Sequence, residues 1–315
     1  MSRMAQASEV RLRAMERKDW AEVADLIYVS TNYWYETHGR PAIFRGGPSA
    51  TMLFCEVYES LDPGCCVVAE STATGRLMGS CFYHPRETHV SLGIMNVHPN
   101  YFGKGVARAL LNFIIDFADR EKKPLRLVSS ALNLDSFSLY TRAGFVPRCA
   151  FQDMFLEVPK SGLSATNALS SRVRPATLDD VEKMAAIELA ISGISRRKDY
   201  RHFIENAAGI WHVSVLENDS HALDGFCVSI AHPGSNIVGP GVARTEDGAA
   251  ALLLAELNQN RGRTPVFLVP VHCEKLVQFA YGLGAKNCEM HFAQVRGAFT
   301  NFNGVVLPSF MPETA

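Results

Sequence analysis

The sequence predicts an α/β protein made of two similar domains, each a mixed, mostly antiparallel sheet flanked by helices. Three observations predict it. The chain has 315 residues, more than the ~100 to 200 usual for one domain. Strand and helix signals recur in one order in its two halves. Between the halves, "PKSGLSATNALSS" at 159–171 has neither a helical nor an alternating apolar period and is rich in Ser, Ala and Gly, as linkers are. The expected division is therefore 1–158, a linker at 159–171, and 172–315.

The repeat can be followed along the chain. "RLRAMERKDWAEVADLI" at Arg11 is echoed by "RVRPATLDDVEKMAAIE" at Arg172, an offset of 172 − 11 = 161. Each copy has a short strand pattern and then Asp19 or Asp180 before an apolar-periodic helix. "GRLMGSCFYHP" matches "HALDGFCVSIAHP", placing Gly79 and Cys81 on Gly225 and Cys227, an offset of 225 − 79 = 146. Pro124 of "KKPLRLVSS" then falls on Pro265 of "GRTPVFLVPV", and Gly144 of "TRAGF" on Gly284 of "YGLGA", an offset of 284 − 144 = 140. The second copy is thus shorter by about 20 residues.

Composition narrows the function classes. Lys plus Arg number 31 and Asp plus Glu 32, with no long run of one sign, so a nucleic-acid partner is not expected. "MSRMAQASEV" lacks the apolar core of a secretory signal, and apolar runs such as Ala249 to Ala255 fall short of the ~20 residues that cross a bilayer. A cytoplasmic protein without membrane attachment is expected. The eight cysteines have no C-x-x-C spacing, so they read as reduced hydrophobes and no metal is expected.

In the first half, "HVSLGIMNVHP" from His89 is a strand pattern in which Gly93 marks a bulge and Pro99 ends the ladder. Val106, Leu110, Phe113 and Phe117 then recur at helical spacing, with Leu111 and Ile114 widening the stripe, so a helix starts near Gly105. Between strand and helix lies "FGKG". Gly103 and Gly105 permit positive φ and close approach of a ligand, Lys104 adds a cation, and the helix start offers unpaired N–H groups, which together suit a phosphate. Further on, "NLDSFSLYTRAGFV" from Asn133 reads as a short helix with Asp135 as N-cap, Leu139 on its buried side and Gly144 as its stop.

These two stretches resemble the GNAT superfamily of acyl-coenzyme A-dependent N-acyltransferases. The pyrophosphate arch of that family, V-x-P followed by Gln or Arg-x-x-Gly-x-Gly or Ala, is matched by Val97, Pro99, Gly105 and Ala107, with Phe102 in place of the Gln or Arg. A second family pattern is matched by Asn133, Ser136, Tyr140, Gly144 and Phe145. The resemblance covers about residues 10 to 158. It implies parallel central strands that splay apart to admit acetyl-coenzyme A as cosubstrate, with Val97, Phe102, Gly103, Lys104, Gly105, Val106 and Ala107 around its pyrophosphate and Asn133 at its pantetheine arm or capping the helix.

The resemblance also implies direct attack of a small-molecule or peptide amine on the thioester, with Tyr140 giving a proton to the leaving thiolate. A phenol (pKa ~10) and a thiol (~8.5) are close enough for that transfer. A backbone N–H near Val97 is the expected oxyanion donor. For a general base, Glu87, His89, His98 and a water chain all stay open. Tyr33, Trp34, Tyr35, His38 and Arg45 would shape the acceptor pocket, although an amphipathic helix packing on a sheet predicts the same letters. A homo-oligomer is left open.

At the matching turn the second copy reads "NIVGPGVARTEDGAA", without the arch, and its helix is expected to start near Thr245 or Glu246. Glu246 and Asp247 would then occupy its first turn and repel a pyrophosphate. Ala280 falls on Tyr140, and Tyr281 is rotated about 100° off the active face. A degenerate second domain is expected. The alternative to an enzyme is a coenzyme A-binding sensor or scaffold without turnover.

Overall fold

The computed structural model describes residues 10–312. The terminal stretch read for a secretory signal lies, apart from Val10, outside the described residues. Among the described residues no helix is long and apolar enough to cross a membrane.

The first half supplies β1 (Val10–Ala14), α1 (Trp20–Thr37), α2 (Met52–Leu61), β2 (Cys66–Ser71), β3 (Leu77–Pro85), β4 (Val90–Val97), α3 (Val106–Arg120), β5 (Leu125–Ser130), α4 (Leu134–Arg142) and β6 (Val146–Phe155). The second supplies β7 (Val173–Pro175), α5 (Val181–Ser192), α6 (Arg197–Glu205), β8 (Trp211–Glu217), β9 (Leu223–His232), β10 (Ser235–Ala243), α7 (Glu246–Gln259), β11 (Val266–Pro270), α8 (Glu274–Gly282), β12 (Lys286–Arg296) and β13 (Val305–Leu307).

The chain forms two compact units whose borders differ from those of the sequence repeat. Of the described residues, one holds those up to Pro85 together with Val90–Leu125; the other holds Arg86–His89 and those from Arg126 onward. In the first unit, β1, β2, β3 and β4 form an antiparallel meander. At the foot of β4 the Val90 N–H donates to the Pro124 carbonyl at 2.9 Å, both residues lying in this unit. In the second unit the strand order is β5-β12-β6-β11-β10-β9-β8-β7, with β13 on β10. β10 and β11 run parallel, whereas β6 is antiparallel to both its neighbours.

That order exchanges the closing strands of the repeat. β6 ends the first copy yet pairs with β11 and β12 of the second, while β12 lies beside β5. Met154 and Leu156 of the β6 segment are buried in one cluster with Leu252 and Leu257 of α7, Phe267 of β11 and Leu276 of α8. The expected linker is irregular and is bonded to α7: the Leu163 N–H donates to Asn258 Oδ1 at 2.9 Å and Asn167 Nδ2 to the Asp247 carbonyl at 3.1 Å.

Local physics repeats with the sequence. Arg13 donates to Asp19 at 2.6 Å and to Glu70 at 2.7 Å; Arg174 donates to Asp180 at 2.7 Å and to Glu217 at 2.8 Å. The hydrogen bond from the arginine holds the carboxyl of Asp19, and likewise that of Asp180, below the usual carboxylate range. Asp19 and Asp180 also accept the backbone N–H of Glu16 and Thr177, closing a short turn ahead of each helix. Gly79 and Gly225 are equivalent too. A Cβ on Gly79 would come 3.0 Å from Val106 and 3.1 Å from Leu110 of α3, and one on Gly225 2.9 Å from Leu252 of α7. Glycine there lets the crossing helix approach the sheet.

The loop between β3 and β4 is fixed within the second unit. Arg86 Nε donates to Asp199 Oδ2 of α6 at 2.7 Å, with both side chains 1% exposed, and the Ser195 N–H donates to Thr88 Oγ1 at 3.0 Å. Beside them Arg196 is paired with Glu188, to which Tyr200 also donates. A buried ion pair contributes little net, but removing one member leaves an unpaired charge.

A chain ending at Val158 keeps β6 but loses both of its ladder partners. We expect residues 1–158 alone to melt at lower temperature than the full chain, or to associate through the bare edges. Thermal melts and sedimentation at equal concentration check this; a monomer with an unchanged melting temperature would contradict it.

Candidate active site

The strand that leads into the glycine turn is distorted one turn earlier. Cys81 of β3 faces Met95 of β4, and Tyr83 faces Leu92, so Phe82 alone stands opposite Gly93 and Ile94. β4 therefore carries the expected bulge at Gly93, which releases a backbone group from the ladder. The glycine has a steric cause: a Cβ would lie 2.8 Å from His84 Nε2 and 2.9 Å from the Phe82 carbonyl oxygen. His84 in turn is held by Asp62, with Nδ1 2.7 Å from Oδ2 and both side chains 1% exposed, and its ring meets Tyr58 of α2 edge-on at 4.5 Å. This buried carboxylate–imidazole pair escaped the sequence reading. Its one signal there is a histidine closing an apolar strand pattern.

β4 ends at Val97, and Pro99–Tyr101 form a single tight turn. His98 serves that turn, since its Nδ1 accepts the Asn100 N–H at 3.2 Å. The Phe102 N–H bonds the Pro99 carbonyl at 3.2 Å and the Lys104 N–H the Tyr101 carbonyl at 3.3 Å. Gly103 and Gly105 then take left-handed φ values of 74° and 83°, and Gly105 is the N-cap of α3. Nothing lies within 4 Å of a Cβ built on either. Backbone conformation demands glycine there, and the space above both is open. Helical geometry leaves the first-turn N–H groups of α3, from Val106 and Ala107 onward, without acceptors inside the helix. Val106 is buried while Ala107 is half-buried.

Phe102 is 47% exposed and packs edge-on against Tyr33 of α1, ring centroids 6.0 Å apart. Lys104 Nζ stands 5.1 Å from the Tyr101 ring, close enough for a cation–π contact. In the stretch expected to meet the acceptor, Trp34 stacks on His38 at 4.2 Å. Asn32 clamps the loop beyond by exchanging two 2.9 Å hydrogen bonds with the Phe44 backbone. Tyr33, His38 and Arg45 are exposed, and Trp34 and Tyr35 half-buried.

Asn133 and Tyr140 belong to the second unit. Asn133 is the N-cap of α4, its Oδ1 accepting the Ser136 N–H at 3.0 Å. This corrects the expectation for Asp135, which sits exposed in the first turn, where the chain is already helical. Leu139 is only half-buried; the buried residue of α4 is Tyr140, 7% exposed and 5.8 Å from the Phe145 ring. The helix ends before Gly144, whose φ is 89°.

Two of the candidate bases serve the β3–β4 loop. Glu87 accepts the Arg197 N–H at 3.2 Å, and His89, 1% exposed, has Nδ1 3.1 Å from Thr88 Oγ1.

The corresponding positions of the second copy are occupied differently. Thr245 caps α7 by accepting the Gly248 N–H at 3.1 Å, and the helix starts at Glu246, one of the two starts expected. Glu246 and Asp247 stand in the first turn of α7, and Glu246 accepts the Leu276 N–H of α8 at 3.0 Å. Ala280 is fully buried, and Tyr281 is 43% exposed, its hydroxyl donating to Gln152 Oε1 at 2.6 Å.

Comparison with known proteins agrees with this architecture. The model of the acetyltransferase (GNAT) family matches residues 23–145, and that of an acetyltransferase (GNAT) domain residues 184–298. The chain belongs to the GNAT acetyltransferase family as a tandem member. A Pyrococcus horikoshii protein has a similar fold, with a TM-score of 0.72 at 14% identity over 97% of each chain. A GCN5-related N-acetyltransferase from Sphaerobacter thermophilus gives 0.62 at 15% identity, covering 94% of this chain and 98% of that one. A tandem GNAT protein from the clavulanic acid biosynthesis pathway gives 0.61 at 16% identity over 92% and 98%. A curated Bacillus subtilis relative, UPF0157 protein YqkA, is 38% identical over 71 residues, which span 22% of this chain and 20% of that protein.

Gly93→Ala would drive a methyl group into His84 and the Phe82 carbonyl. We expect a loss of about 1–3 kcal/mol, read as a lowered denaturation midpoint at unchanged m-value; an unaltered midpoint would contradict the steric role.

Proposed function

We propose that the protein transfers an acetyl group from acetyl-coenzyme A to the primary amine of a small molecule or peptide, with the chemistry in the first half, 1–158, and a degenerate copy in the second. The observation that carries this reading is the open turn at Gly103 and Gly105, both left-handed and both clear of any neighbour, at the start of α3. Backbone N–H groups there and the helix dipole favour a pyrophosphate. The amine nitrogen attacks the thioester carbon, the C–S bond breaks, Tyr140 gives its phenolic proton to the departing sulfur, and the proton shed by the amine nitrogen returns to the phenolate through solvent. A backbone N–H on β4, near Val97 or at the Gly93 bulge, stabilises the oxyanion. The roles of Tyr140 and Asn133 rest on their places in the family pattern.

A second reading, coenzyme A binding without turnover, is favoured by Phe102, an exposed aromatic where the family carries a side-chain donor. Thiol release from acetyl-coenzyme A over a panel of amines separates the two. We expect turnover that falls at least about a hundredfold in Tyr140→Phe, the span of a lost proton donor, with coenzyme affinity kept. Binding without turnover on any amine would favour the second reading.

Gly105→Glu should abolish coenzyme binding, because it brings a carboxylate to the pyrophosphate seat and strains φ. Calorimetry should find one equivalent of coenzyme per wild-type chain and none for the folded variant. Two equivalents would mean that the second copy has kept a site.

A further inference from the structure

Away from the arch, β6 and β12 bring three ionisable side chains together inside the second unit. Asp153 stands directly opposite Glu289 in the antiparallel ladder, so both side chains leave the same face of the ribbon. His291, two residues further along β12, shares that face. All three residues are more than nine-tenths buried, at 7%, 8% and 6% exposure. One candidate ligand atom from each lies within 4.8 Å of the others. His291 Nδ1 is 3.3 Å from Asp153 Oδ2, and its Nε2 is 3.1 Å from Glu289 Oε1.

The arrangement is incomplete as a hydrogen-bonded cluster. Asp153 Oδ1 and His291 Nδ1 are buried, and neither makes a hydrogen bond of good geometry. Two carboxylates this deep carry a large desolvation cost, and an imidazole faces both of them. A cation would meet each need. Two ligands bound at ~2.0–2.1 Å to a tetrahedral ion stand about 3.3 Å apart, the spacing found between Nδ1 and Oδ2. One imidazole with two carboxylates suits a borderline divalent ion such as zinc, whereas calcium takes six to eight oxygens. The Phe310 ring, 4.9 Å from the His291 ring, adds an apolar wall.

We propose that Asp153, Glu289 and His291 bind a divalent transition-metal ion, zinc by preference, which pins β6 to β12. The site is separate from the proposed acetyl transfer and stands or falls without it. It leaves no spacing signature in the sequence, because its ligands come from opposite halves of the chain.

The test uses the full-length, untagged chain, stripped with a chelator and titrated with zinc and with cobalt. We expect one equivalent bound, a rise in melting temperature on loading that the chelator reverses, and cobalt d–d bands of a low-coordinate site. Asp153→Asn and His291→Gln, close to isosteric, should each lower affinity at least tenfold and remove the bands. Should either variant fail to fold, anomalous scattering at the zinc edge from crystals of the loaded wild type locates the ion. Absence of stoichiometric binding, binding that persists in both folded variants, or an anomalous peak away from these three residues would each overturn the proposal.

Discussion

The exchange of closing strands is the constraint on which most of the second unit depends. A strand in the middle of a sheet satisfies its backbone on both sides, and β6 finds both partners in the other copy of the repeat. β5 in turn lies beside β12, supported by the Ala131 N–H on the Met290 carbonyl at 2.8 Å and by Ser129 on Gln294 at 2.9 Å. The helix that carries Tyr140 sits in the chain between β5 and β6, so the strands at both its ends lie against strands of the second copy. That gives the second copy a structural task independent of any ligand.

Charge is managed by local closure. The two Arg–Asp–Glu clusters at matching places of the repeat each tie the first strand of a copy to the turn before its first helix and to the neighbouring strand. The buried Arg86–Asp199 pair does the same for the β3–β4 loop and α6. Such pairs add geometry more than net stability, since desolvation offsets much of their attraction.

What was legible in the sequence was whatever short-range physics decides. Gly105 before the stripe Val106–Leu110–Ile114 marked the start of α3, Thr245 before Glu246 marked that of α7, and Gly93 marked the bulge. Capping at α4 was misread because Asn133 and Asp135 are both good caps and only the backbone path chooses between them. The exchanged strands could not be read, since the apolar patterns of β6 ("DMFLEV" from Asp153) and β12 ("MHFAQV" from Met290) suit a place beside either copy. The Asp62–His84 pair and the Asp153–Glu289–His291 cluster were hidden for a related reason: each joins residues from different elements, and neither pattern repeats locally.

The strand exchange also orders events during synthesis. The ladders around β6 cannot close until β11 and β12 have left the ribosome, more than a hundred residues after β6 itself. Until then the amide edges and the apolar face of β6, with Met154 and Leu156, wait in an unfinished sheet, the kind of intermediate most open to wrong pairing. Contacts of such long sequence separation also slow folding, because a large loop must close before they contribute. A chain built this way matures late and as a whole, so its first half is poorly suited to an independent life as a detachable module.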